Sequence, residues 1–146
     1  MTPGLVEGQS ARMPERVNGV VDLWDGWSLA LPNDCMCERN VDGSWSAWDA
    51  SRTVDVQIVT VVGTAGRESV SAEAMLGREP NARGEGWSGY VEERVEPDVA
   101  GTAYRLTIAA AGPDTLLSCW VAYRSDEDRP WANEVLSTIV LGRMPT

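Results

Sequence analysis

A chain of 146 residues with 43% apolar side chains has the size of one domain with one core, which excludes global disorder. Acidic residues number 22 against 12 basic ones, all of them Arg, and with no His the net charge is −10. This inventory excludes Ser-His and Cys-His nucleophile pairs, imidazole metal sites, lysine Schiff bases and Walker-type phosphate lysines, and it opposes duplex nucleic acid and anionic membranes.

Residues 1–18 are rich in Pro, Gly, Glu, Gln and Ser and carry no apolar core of signal-peptide length. They read as a flexible lead-in, followed by a single α+β domain over residues 19–146. No stretch reaches the apolar length of a membrane span, so the expected location is cytoplasmic.

The first clear pattern is Val20–Trp24 followed by Trp27–Pro32, two extended pieces around the turn dipeptide Asp25-Gly26. Pro32-Asn33-Asp34 reads as the end of the second piece, and 40–43 as a turn. Trp45–Asp49 leads to a strand over Val54–Val62 whose far end looks buried on both sides. Ser69–Arg78 fits a short helix, with Ser71 as cap and Glu73 in its first turn. Three strands follow: Trp87–Val95, Ala103–Ala111 and Leu116–Arg124, with a tight turn at Gly112-Pro113-Asp114. Their short connections predict an antiparallel meander.

From Trp131 onward, Trp131, Ala132, Val135, Leu136, Ile139 and Val140 recur at helical spacing, with polar residues between them. Asp126, Glu127, Asp128 and Pro130 mark the start and Gly142 the stop. The expected fold class is α+β: an antiparallel sheet packed against helices, with a C-terminal amphipathic helix and a partly exposed opposite face.

The order and hydrophobic patterns of Trp27–Pro32, Trp45–Val62 and the closing Trp131–Ile139 helix resemble the PsbP-like α/β/α sandwich superfamily. The likeness spans Val20–Val140. It implies a binding module without catalytic residues, of the kind found among extrinsic photosystem subunits, a nuclear-import factor and bacterial Eag-type secretion chaperones. In the chaperones the sheet cradles an apolar helix of a client.

Three groups of residues are candidate sites. Trp24, Trp27, Trp45 and Trp48 form either an aromatic surface for a peptide or the core of a chain that has no Phe. Tyr90, Arg94, Arg105, Thr107, Trp120 and Arg124 fall on the less apolar sides of consecutive strands. They form either a patch that recognises a carboxylate or an ordinary solvated face with cross-strand pairs. Asp22, Asp25, Asp34, Glu38, Asp42 and Asp49 are solvated loop acids, a carboxylate pair or a calcium site.

The odd cysteine count of Cys35, Cys37 and Cys119 gives no disulfide framework, and no metal or cofactor is expected. The function that results is a non-catalytic protein-binding module: a bacterial secretion-associated chaperone, an adaptor or an immunity-type protein. Its partner is another protein, basic or apolar-helical, or a second copy in a homodimer. The alternative is a small-molecule-binding protein or a carboxylate-based enzyme.

Overall fold

The computed structural model describes residues 14–60, 79–99, 101–112 and 115–142. In chain order these form β1 (Glu15–Asp22), β2 (Trp27–Arg39), β3 (Trp45–Trp48), β4 (Thr53–Thr60), β5 (Ala82–Gly84), β6 (Trp87–Asp98), β7 (Gly101–Ala111), β8 (Thr115–Tyr123), helix α1 (Arg129–Ser137) and β9 (Val140–Leu141). The expected α+β sandwich is not what forms. Strands account for 65% of the described residues, in one curled half-barrel sheet. Among the described residues the single helix, α1, has nine residues. The helix expected over Ser69–Arg78 lies outside the described residues, as do residues 113–114 of the tight turn.

The sheet order is β1-β2-β3-β4-β8-β7-β6-β5, with β9 added to β2. The β1–β2 hairpin turns at Asp25 (φ 58°) and Gly26 (φ 89°), the doubly left-handed pair that matches the twist of flanking strands. Strand β1 starts at Glu15, so the last residues of the stretch read as lead-in are strand. Pro32 does not end β2. A straight strand of 13 residues would span about 40 Å. Yet the guanidinium of Arg39, at the far end, lies 3.8 Å from the ring centroid of Trp24, just before the start. The strand therefore doubles back. The bend falls where Pro32, Asn33 and Asp34 together face only Asn18, next to Gly19 with its φ of 72°.

That bend explains the departure from a sandwich. Both arms of β2 turn side chains inward: Trp27, Leu29 and Leu31 from the first, Cys35 and Cys37 from the second. The sheet covers much of its own inner face, leaving a limited area for a helix. The opposite margin is tied back as well. Strand β9 pairs with Trp27 and Ser28, Val140 bridges Glu85, and the Leu141 N–H donates to the Glu85 carbonyl at 2.9 Å. Gly86 (φ 86°) allows this approach, because a Cβ there would sit 2.2 Å from the Leu141 carbonyl oxygen.

Helix α1 places Ala132, Val135 and Leu136 against this interior. It is shorter than its apolar period suggested. The Thr138 hydroxyl accepts from the Ala30 N–H at 2.8 Å and donates to the Val135 carbonyl at 2.7 Å, which pins the helix end to β2. Ile139 is then buried as coil, and Val140 joins β9. Strand β4 alternates as expected through Val54 and Val56, but Val59 is 48% exposed where burial on both sides was expected, and residues 61–62 of the expected strand lie outside the described residues.

Candidate functional site

The meander β6-β7-β8 forms as the alternation predicts, and its register decides which outer side chains meet. Across β6–β7, Tyr90 faces Ala109, Glu92 faces Thr107 and Arg94 faces Arg105. Across β7–β8, Thr107 faces Trp120 and Arg105 faces Ala122. Neighbouring Cβ atoms in such pairs lie about 5 Å apart, so the six nominated residues share one surface.

Two adjoining hollows divide that surface. One, of about 240 Å³, is bordered by Arg94, Glu96, Arg105 and Arg124, with Ser51 and Tyr123 on its wall. The other, of about 260 Å³, is bordered by Tyr90, Glu92, Thr107, Ser118 and Trp120. Arg94 approaches Glu92 at 3.6 Å, but both side chains are well exposed, so the pair holds weakly. The Tyr123 hydroxyl is buried with no hydrogen-bond partner among the described residues. Burial, and then the negative charge of Asp126, push that phenol above its ordinary range. Its ring stacks on Tyr104 at 5.3 Å.

The tryptophans of the first candidate group do not make one surface. Trp27 and Trp45 are core residues. The Trp27 indole N–H donates to the Thr115 hydroxyl at 3.0 Å, which satisfies the polar atom that burial would otherwise orphan. Trp24 is half-buried beneath Arg39, and Trp48 is half-buried on the outer side of β3. Outside this group, Trp87 is buried and donates to the Ile139 carbonyl at 2.9 Å.

Sequence reasoning missed a polar clip around Arg52. Its guanidinium meets Asp49 at 2.6 Å and Asp128 at 3.4 Å, and lies 4.3 Å from the Trp131 ring centroid. Trp131 donates to Asn33 Oδ1 at 2.6 Å, and Asn33 Nδ2 donates to Asp49 at 3.1 Å. The cluster joins the bend of β2, the β3–β4 turn and the start of α1. Burial works against the charged form of Asp49. The hydrogen bonds from Arg52, Asn33 and the backbone outweigh it and hold the carboxyl at about 2. Charges paired this closely brace a fold, and the only signal in the sequence was the Asp49–Arg52 spacing.

Of the other candidate acids, Asp22 stands on β1, Asp34 and Glu38 on β2, and Asp25 in the β1–β2 turn. Asp42, in the β2–β3 turn, accepts from the Ser44 hydroxyl at 2.7 Å and from its N–H at 3.0 Å, which lowers its pKa. Among the described residues no three His, Cys, Asp or Glu side chains gather as a metal site. Cys35, Cys37 and Cys119 are free, buried thiols, and burial raises the pKa of each. Thiols in that state are poor nucleophiles.

No family model and no curated protein matches this chain. A crystal structure from Bacteroides thetaiotaomicron VPI-5482 is similar with a TM-score of 0.63 at 11% identity, over 87% of this chain and 50% of that one. The likeness concerns the fold alone, and this chain spans half the length of that protein. Nothing in these matches connects the chain with the PsbP-like superfamily.

Proposed function

We propose that this chain is a non-catalytic protein-binding module whose contact surface is the outer face of β6, β7 and β8. The observation that carries the reading is the pair of adjoining hollows, in which Tyr90 and Trp120 border one and Arg94, Arg105 and Arg124 border the other. Tyrosine, tryptophan and arginine are the side chains that contribute most to protein contacts. Here they stand on paired strands, so little ordering is required on association. Among the described residues the interior is filled, by Trp27, Trp45, Leu117 and Val135 among others. A chaperone, adaptor or inhibitor role fits such a face.

The test is capture of partners with the full-length chain, compared with a Tyr90→Ala/Trp120→Ala double variant at low and raised salt. The reading expects a specific partner whose recovery falls in the variant while the melting temperature stays unchanged. Equal recovery by both proteins contradicts it. Sedimentation of the free chain separates a foreign partner from a second copy.

A further inference from the structure

We propose that the hollow bordered by Arg94, Arg105 and Arg124 is a carboxylate site that receives an acidic peptide segment. The inference rests on the binding face described above and names what that face recognises.

Register carries the inference. Arg94 and Arg105 stand directly opposite one another on β6 and β7. Like charges in that position repel and weaken the sheet. Composition does not force the arrangement, because acidic residues outnumber arginines by 22 to 12. Among the described residues no carboxylate forms an ion pair with Arg105, and Arg94 has only its loose contact with Glu92. Arg124, just past the end of β8, borders the same hollow. An anion between the guanidinium groups would turn their repulsion into attraction, and each planar fork matches a carboxylate with two parallel hydrogen bonds.

Charge then selects the ligand. Glu96 borders this hollow and Glu92 the next, within a chain of net charge −10. Those negative charges penalise a phosphate dianion more than a carboxylate monoanion. The neighbouring hollow, with Tyr90 and Trp120, suits an apolar side chain adjacent to the acid. The expected ligand is a segment in which one acidic residue stands beside an apolar one.

The experiment follows the arginine Nε–H signals of the full-length protein by nuclear magnetic resonance. The probes are a doubly capped peptide with one glutamate beside one leucine, the same peptide with glutamine for glutamate, and inorganic phosphate. Saturable shifts at Arg94, Arg105 and Arg124 are expected with the glutamate peptide and absent with the glutamine peptide. Arg105→Gln weakens binding about tenfold, the loss expected for a charge-assisted contact, and Arg105→Lys recovers part of it. Three results overturn the inference: no shift with the glutamate peptide, equal affinity of Arg105→Gln, or saturation by phosphate in preference to the peptide. If one of these occurs while the Tyr90→Ala/Trp120→Ala variant still loses its partner, the binding face stands and only the carboxylate site falls.

Discussion

The two faces of β7 and β8 are built from alternate residues of the same segments, yet they do different work. Leu106, Ile108, Leu117, Cys119 and Val121 point inward and are at most 5% exposed. Arg105, Thr107, Ser118 and Trp120 stand between them and remain accessible. One face obtains its energy from removal of apolar area from water. The other keeps charged and aromatic groups in fixed places at little cost to folding. Tryptophan shows the contrast most clearly: Trp27 is sealed with its N–H satisfied by Thr115, while Trp120 borders an open hollow. The same side chain is structural or available depending on which side of the pleat it occupies.

The largest expected effect divides these two indoles. Trp27→Ala should cost about 3–5 kcal/mol through loss of packing and the cavity left behind. Trp120→Ala should stay within about 1 kcal/mol, as is usual for accessible positions. Urea denaturation of both variants measures the difference, and similar midpoints would erase the distinction between the faces. Next comes the closure that keeps the inner face sealed. Gly86→Ala combines a left-handed backbone with a clash against Leu141 and should cost about 2 kcal/mol. A stability equal to that of the parent would show that β9 does not tie the margins together.

The Arg52 clip sharpens the comparison through pH. Asp49 is held at about 2 in the folded chain, below the roughly 3.9 of an unfolded aspartate. Its contribution is therefore complete above about pH 4 and is lost as the pH falls towards 2. The expected size is about 2 kcal/mol, and Asp49→Asn should remove that part of the acid dependence. Parallel acid profiles for parent and variant would contradict the assignment. The smallest effect is kinetic and leaves stability untouched. A thiol reagent should leave Cys35, Cys37 and Cys119 unmodified in the native protein and label all of them in denaturant. Rapid native labelling would mean that the interior opens.

Period-two alternation made the faces of β6, β7 and β8 legible, because every second residue there differs sharply in polarity. The Asp25-Gly26 turn was legible for a similar reason: local chemistry alone selects it. The curled sheet was not. Glu15, Arg16 and Asn18 are polar, and this stretch becomes strand only by pairing with β2. Pro32 reads as a terminus, but it sits exposed at a bend where its missing N–H is tolerated. Ile139 and Val140 continue the helical period of α1, yet Thr138 and the pairing with Trp27 and Ser28 redirect them. In each case a distant contact overrode the local pattern, and a single sequence does not display such contacts. The outer-face positions of Tyr90, Arg94, Arg105, Thr107 and Trp120 were readable because they depend on alternation; the hollows themselves depend on register.

Photo-crosslinking tests the central claim most directly. A benzophenone side chain placed at Thr107 lies in the hollow of Tyr90 and Trp120, and one at Val41 lies on the exposed β2–β3 turn, where the residue is 77% accessible. A binding face on β6–β8 predicts a discrete adduct from Thr107 that disappears with Tyr90→Ala/Trp120→Ala, and none from Val41. The same adduct from both positions, or from Thr107 regardless of the double substitution, would contradict it.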